Sequence, residues 1–405
     1  MSPSIGASEQ RPLIDKPAEP EIERILGRFG GHTPGPLVLV VAGLHGNEPS
    51  GVAALQLVVT KLCERQPKFR GEFIAVSGNI AALKLGVRFI ERDLNRGWSV
   101  RSVARSLDKP MTAEDREQSD LLKVLVPRLR DAEAESYVFD LHSTSAASAP
   151  FLTLGDTLEN RKFAKRLGMP LVLGIEEQID GAMLDYLGGF GPIALGVEAG
   201  QHDDPVSVDI HEAATWMALT EAGCLARDTH LFDMKECHRR LGVARAGLPH
   251  VFEVVYRRGV EPGDGFEMTP GHRNFERVRA GQVIARTIEG PVEIPETGWL
   301  FLPLYQKQGD DAYFIVRPVW SIWLRLSRVL RRLGVARTLH LLPGVHCARE
   351  RTDTYVVDRR VARWLVVQLF HLLGYRRIRT TPKVVVFRGQ GAAGANCGAG
   401  VTSRD

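Results

Sequence analysis

The chain has 405 residues, of which 44% are hydrophobic and 25% charged, enough for two or three globular domains rather than one small one. No apolar run reaches the ~20 residues of a membrane-spanning helix, and the first twenty residues are polar and proline-bearing without the apolar core of a secretory leader, so a cytoplasmic location is the expectation. The net charge of +4 hides an asymmetry: residues 317–405 carry 17 Lys and Arg against 4 Asp and Glu, whereas residues 1–316 carry 35 against 44.

After an N-terminal segment (1–35), the chain from Leu37 to Glu212 alternates apolar strand-like runs with helical patterns. "PLVLVVAGLHG", "GEFIAVSGN", "SYVFDLHS", "PFLTLG" and "PIALGVEAG" read as strands, several uniformly apolar as central strands of a covered sheet are. "SGVAALQLVVTKLCERQ", "SDLLKVLVPRLRDAE", "LENRKFAKRLG" and "DIHEAATWMALTEAGCLA" carry helical periodicity. This order predicts an α/β sandwich with a mixed central sheet over 36–245. Short strands with turn signals follow over 246–317, an all-β unit whose "RAGQVIA" and "GPVEIPETGWLF" resemble the barrel-sandwich hybrid of biotinyl and lipoyl carriers. No lysine occupies its "IPETGW" turn, which argues against a carrier role. A basic extension with helix and strand patterns covers 318–388, and the Gly/Ala-rich residues 389–405 are predicted to be disordered.

The five cysteines are scattered and form no CxxC pair, which fits reduced thiols better than a disulfide framework or a cysteine-zinc site. Any metal must then be held by histidine and carboxylate. His45 and Glu48, in "GLHGNE", stand where an apolar strand ends and a helix begins, a common place for active-site groups in α/β sheets. Alone, the motif reads equally as a polar turn with a capping carboxylate. A second histidine, His142, ends another strand in "YVFDLHSTS", two residues after Asp140. Two histidines and one carboxylate leave a coordination position open for water, the arrangement of a catalytic zinc rather than a structural one. Hydrolysis also needs a base and a cation near the developing oxyanion. Glu198, at the end of "IALGVEAG", is the candidate base, against the alternative of a solvated loop glutamate. Arg88, Arg92 and Arg96, in "GVRFIERDLNRGW", are the candidate cations, against ordinary surface arginines. His202 and His211 are reserve ligands should His142 not serve.

Taken together and in order, "GLHGNE", "GNIAALKLGVRFIERDLNR", "DLHST" and "GVEAG" resemble the succinylglutamate desuccinylase/aspartoacylase family of the zinc carboxypeptidase superfamily, over about residues 36–316. The resemblance implies one Zn2+ held by His45, Glu48 and His142, with Glu198 as general base and proton shuttle. It further implies that Arg88 polarises the scissile carbonyl, that Asn95 and Arg96 grip a substrate carboxylate, and that Tyr313 reaches toward the substrate from the β unit. Two positions depart from aspartoacylases: Ser143 replaces an asparagine, and Gly188 stands where they carry an arginine. Both bear on the substrate rather than the metal.

The expected activity is therefore a zinc-dependent amidohydrolase acting on an N-acyl amino acid or similar small carboxylate-bearing molecule. The alternatives are a carboxypeptidase acting on short peptides, or a non-catalytic protein presenting its basic tail to a membrane or acidic partner. In that tail, "VWSIWLRLSRVLRRLG" interleaves Trp320, Trp323, Leu324, Leu326, Leu330 and Leu333 with Arg325, Arg328, Arg331 and Arg332. The pattern fits either a membrane-surface helix or a packed helix with a solvated arginine face, the latter favoured by the folded character of the segment that follows. No nucleic-acid motif accompanies the basic charge.

Overall fold

The computed structural model describes residues 22–389 apart from 244, 246, 262, 349–350, 359, 362–365 and 382–383. The Gly/Ala-rich tail expected to be disordered lies outside the described residues except for Gly389, which ends a strand.

The chain begins with β1 (Ile25–Gly30), β2 (Leu37–Ala42), α1 (Ser50–Arg65), β3 (Glu72–Ser77), α2 (Ile80–Leu85), α3 (Val100–Asp108), α4 (Ala113–Arg130) and β4 (Ser136–Thr144). It continues through β5 (Phe151–Thr153), α5 (Leu158–Leu167), β6 (Leu171–Leu173), a 3-10 turn at Ile175–Glu177, α6 (Met183–Gly188), β7 (Ile193–Gln201), α7 (Val206–Glu221) and α8 (Met234–Val243). Strands β3, β2, β4 and β7 lie parallel and side by side, with β1 antiparallel at the edge. Every residue of β2 is buried, as its unbroken Leu-Val-Leu-Val-Val-Ala run requires of a strand covered on both faces. One face packs on α1, α5 and α7 through residues such as Leu55, Phe163, Trp216 and Leu219. The other packs on α3, α4 and α6 through Val103, Leu121, Leu125 and Leu187. Burying each such side chain stabilises by ~1.5–3 kcal/mol before entropy is counted.

The following region comprises β8 (Val251–Gly259), β9 (Glu267–Met268), β10 (Glu276–Val278), β11 (Val283–Thr287), β12 (Gly290–Glu293), β13 (Gly298–Phe301) and β14 (Asp311–Pro318). Strands of a small sheet, β12-β11-β9, and of a larger one share a core containing Ile284, Val292, Leu300 and Ile315. The larger sheet is not separate: β8 pairs in parallel with β6, so β8, β14, β13 and β10 continue the first domain's sheet to eleven strands. This continuity joins the β region to the preceding strands in one sheet, with a cluster of Phe151, Phe252, Phe275, Phe301 and Phe314 at the junction.

The basic extension consists of α9 (Ser321–Arg332), a 3-10 turn at Val335–Leu341, β15 (Val345–Ala348), β16 (Arg351–Asp358), α10 (Val366–Leu372), β17 (Tyr375–Thr380) and β18 (Val384–Gly389). Its antiparallel sheet β15-β16-β18-β17 packs on α10 around Tyr355, Phe370, Tyr375 and Phe387. Cys63, Cys224 and Cys237 are free thiols, but Cys347 is disulfide-bonded, contrary to the expectation of reduced thiols throughout.

Candidate metal centre

The parallel strands β2, β4 and β7 deliver their carboxyl ends to one place. Beyond β2, Gly43 adopts a left-handed φ of 73° and turns the chain out of the sheet toward α1. Gly46 then lies against α2 so closely that a Cβ would stand 2.1 Å from the Ala82 carbonyl carbon, which is why the turn between His45 and Glu48 takes glycine. His142 lies two residues before the end of β4, and Glu198 is its register partner on β7. The loop bearing Arg88 and Asp93 is pinned by Glu114, whose carboxylate accepts the Ile90 N–H at 2.8 Å and the Glu91 N–H at 3.2 Å. Glu114 is itself fixed in the first turn of α4, beside the capping box formed by Thr112 and Asp115.

Glu48 is the hub. Its Oε1 lies 2.8 Å from His45 Nδ1 and its Oε2 3.1 Å from His142 Nδ1, and Oε2 also accepts the Ser143 N–H at 2.9 Å. The far nitrogens of both rings are held by carboxylates: His45 Nε2 is 3.1 Å from Asp93 Oδ1, and His142 Nε2 is 2.7 Å from Asp140 Oδ2. Carboxylates in that position fix ring orientation and raise the basicity of the nitrogen facing the centre, the usual support for metal-bound histidine. One donor atom each from His45, Glu48 and His142 lies within 4.8 Å of the others, and all three residues are buried. Burial pushes the Glu48 carboxyl up, but the charges and hydrogen bonds of the two histidines outweigh it and hold Glu48 well below the glutamate range. A buried His-Glu-His set with orienting carboxylates behind it fits a divalent ion of zinc type.

The same residues line a cavity of about 170 Å³ together with Arg88, Asn95, Arg96, Ser143, Glu198 and His202. Glu198 Oε2 is buried and has no hydrogen-bond partner among the described residues; burial, together with the nearby Glu48 and Asp140 charges, pushes the carboxyl up to about 8 against the opposing His142 and Arg88 charges. Arg88 donates through Nη2 to Asp93 at 3.0 Å and brings Nη1 to 3.6 Å from Glu48 Oε1. Asn95 accepts the Met183 N–H at 2.8 Å, which leaves its NH2 group as the donor toward the cavity. Arg96 Nη2 pairs with Asp311 at 2.7 Å, so the β region steadies it.

Two expected positions fall elsewhere. Tyr313 does not line the cavity: its ring is buried in the β-region core, centroid 6.0 Å from that of Tyr256, and burial pushes its hydroxyl up to about 12. The register shift between Asp311 and Tyr313 in the β14–β8 pairing leaves Asp311 and Phe314 on the cavity and turns Tyr313 inward. Arg92 also stands apart, donating to Asp115 at 2.7 Å. His211 is buried within α7, whereas His202 borders the cavity with Nδ1 2.8 Å from Ser143 Oγ. Asp93, Asp311 and Gln306 have no strand-end signal in the sequence. Only the fold brings Gln306 to accept from Asn47 at 2.8 Å and border the cavity.

The family model described as the succinylglutamate desuccinylase/aspartoacylase catalytic domain matches residues 34–217, the segment that contributes every candidate ligand and the base. Residues 34–217 are thus a succinylglutamate desuccinylase/aspartoacylase catalytic domain. Among curated relatives of this family, a succinylglutamate desuccinylase of Pseudomonas paraeruginosa is 30% identical over 120 residues, 30% of this chain and 35% of that protein. An N-acyl-aromatic-L-amino acid amidohydrolase (carboxylate-forming) of Xenopus laevis is 30% identical over 110 residues, 27% of this chain and 34% of that protein. The match thus spans about a third of the length of these relatives, both of which bear the names of hydrolases. The fold is shared with a succinylglutamate desuccinylase structure from Chromobacterium violaceum (TM-score 0.51, 18% identity, 71% of this chain, 86% of that one). It is shared also with murine aminoacylase 3 (TM-score 0.50, 20% identity, 71% and 97%).

Proposed function

We propose that this chain is a zinc-dependent amidohydrolase that removes the acyl group from an N-acyl amino acid or a similar small carboxylate-bearing compound. The observation that carries this reading is the convergence of His45, Glu48 and His142 with Glu198 and Arg88 on one buried cavity. His45, Glu48 and His142 would hold the ion, which when bound supplies Lewis acidity and lowers the pKa of a water toward neutrality. Glu198 takes a proton from the attacking water and returns it to the leaving amine, a role suited to a carboxyl that borders the cavity beside His142. Arg88, held by Asp93 at the border of the cavity, would stabilise the charge that develops on the carbonyl oxygen. Arg96 and the Asn95 amide grip the substrate carboxylate.

A cavity of about 170 Å³, walled on one side by Leu302, Leu304, Gln306 and Asp310 of the β region, suits a small amide better than a peptide chain. The deciding experiment is metal content by plasma mass spectrometry for wild type and for a His45→Ala/His142→Ala variant, followed by an N-acyl amino acid panel. About one zinc per wild-type chain, absent from the folded variant, with turnover of at least one N-acyl amino acid, supports the reading. Equal zinc in both proteins sinks it.

A further inference from the structure

Among the described residues, helix α9 packs on the rest of the protein along one side only. Ser327, on that side, donates to the Leu372 carbonyl at 2.6 Å and accepts from Arg161 Nη1 at 3.2 Å, while Arg331 donates to the Asp156 carbonyl at 2.7 Å. Leu324 packs against the first domain's core. At 3.6 residues per turn, Leu324, Ser327 and Arg331 share this docked face. The same spacing sends Ile322, Leu326, Val329 and Leu333 to the opposite face, toward solvent. Their exposures bear this out: 68% for Ile322, 39% for Leu326, 52% for Val329 and 73% for Leu333, with Trp320 at 76% and Trp323 at 54%. An outward face that is apolar inverts the usual pattern of a surface helix, and contiguous exposed apolar surface marks an interaction site.

The charges beside this stripe point to the occupant. Arg325, Arg328 and Arg332 occupy the flank between the docked and outward faces, all exposed, and Lys165 of α5 lies close by. Among the described residues none of these four has a carboxylate partner. The Lys165 amine is held below its ordinary value by burial and by the like charges of Arg328, Arg161 and Arg325, with no acid to offset them. A second, largely apolar groove of about 680 Å³ opens beside the start of the helix, lined by Met169, Leu171, Pro249, Trp320 and Leu324 and bordered by Lys165. Unneutralised basic groups around an exposed Trp and aliphatic stripe fit anionic headgroups above acyl chains. A second copy of the chain would bring the same strongly basic extension against itself, and a nucleic acid would leave the apolar stripe exposed.

We propose that α9 is a peripheral membrane anchor. Its Ile322, Leu326, Val329 and Leu333 face enters the interface of an anionic phospholipid bilayer, Trp320 and Trp323 lie at headgroup level, and Lys165, Arg325, Arg328 and Arg332 contact lipid phosphates. The test is co-sedimentation of the full-length protein with vesicles of phosphatidylcholine containing about a third phosphatidylglycerol, and with phosphatidylcholine alone, at low and high salt. The expected result is binding to the anionic vesicles only, weakened by salt, and reduced at least about tenfold by Ile322→Glu/Val329→Glu with thermal stability unchanged. Equal binding of that variant overturns the role of α9. Absence of vesicle binding overturns the membrane assignment, as does a concentration-dependent dimer in sedimentation that the variant abolishes, which would make a second copy the occupant. Arg325→Ser/Arg328→Ser, which leaves the apolar stripe intact, separates the charge contribution: unchanged salt dependence there would remove the arginines from lipid contact.

Discussion

Arg376 Nη2, on β17 of the basic extension, lies 2.5 Å from Oδ2 of Asp156, which follows β5 in the family domain. The Arg376 side chain is 2% exposed and that of Asp156 fully buried, and the same aspartate also pairs with Arg161 and Arg331. Arg376 further pairs with Glu177 at 3.0 Å and Glu253 at 3.1 Å, so one guanidinium ties together the loop after β5, the turn after β6 and strand β8. These arginines hold Asp156 far below the ordinary aspartate range against the opposing effect of burial. The extension is thus keyed into the wall of the candidate active site, since Gly155 and Glu176 border both the network and the cavity.

Replacing Arg376 with Met should expose the cost of that arrangement. The methionine fills much of the volume but leaves Asp156, Glu177 and Glu253 short of a cation. Removing one partner of a buried pair costs ~3–5 kcal/mol because the charge left behind stays desolvated. Urea unfolding of wild type and variant measures the loss. A change below ~1 kcal/mol would mean that water or neighbouring arginines take over the pairing.

The seam should also respond to pH, through His371 and Glu177. Burial pushes Glu177 up, but the hydrogen bond from His371 and the charge of Arg376 outweigh it and bring the carboxyl down to about 2. Burial likewise disfavours the His371 imidazolium, yet hydrogen bonds to Glu177 and Glu253 raise it above its ordinary 6.5. A depressed carboxylate stabilises the fold above its ordinary 4.5, and that contribution fades as pH falls toward 2. A raised histidine stabilises below 6.5 and loses its contribution as pH rises through the folded value. His371→Gln keeps a hydrogen-bonding side chain without the charge. The stability gap between wild type and this variant should be widest near pH 5 to 6 and shrink as pH rises; a gap that does not change with pH would refute the ion-pair account.

Much of the candidate site was legible because its candidate ligands follow apolar strands. His45 follows, and His142 and Glu198 lie near the ends of, apolar runs that read as covered central strands, and parallel neighbours bring such ends together. Asp93 and Asp311 were not legible in this way. Asp93 sits in an irregular loop whose course depends on Glu114, in the first turn of α4, and Asp311 meets Arg96 from a strand 215 residues away. Tyr313 was misplaced because a strand's alternation assigns side chains to faces only while the register is regular, and it shifts just before that residue. The join between β6 and β8 was invisible for a related reason: the boundary between domains is a change of composition, while the sheet ignores it.

Glu198→Gln tests the base without dismantling the centre. The amide keeps the shape and remains beside His142 in the sheet register, but it cannot accept a proton from water. Metal content and thermal stability should match wild type while turnover of an accepted N-acyl amino acid falls by about 10²–10⁴. Retention of more than about a tenth of the activity would assign the proton transfer to another group.

Glu176 sets the last expectation, which concerns the substrate's chemistry. Its side chain is 4% exposed, borders the cavity, and among the described residues accepts no hydrogen bond at either oxygen, its ion pair with Arg376 Nε being 3.5 Å long. Burial pushes this carboxyl up to about 8 despite the Arg376 charge, with Asp156 and Glu177 adding to the rise. Asp185 borders the same cavity and has no cationic partner among the described residues. A second carboxylate on the substrate, as in an N-acyl glutamate, would enter beside these two groups and meet either repulsion or the cost of keeping them protonated. An ammonium group there would instead convert Glu176 to its ionised form and pair with it. An N-acyl diamino acid should therefore be hydrolysed with a kcat/KM at least about tenfold above that of the N-acyl glutamate carrying the same acyl group, a difference of ~1.4 kcal/mol. Glu176→Gln should narrow that ratio mainly through KM, because the contact is made equally in ground and transition states. If the variant keeps the wild-type ratio, Glu176 serves only the seam with Arg376 and the preference must arise elsewhere in the cavity.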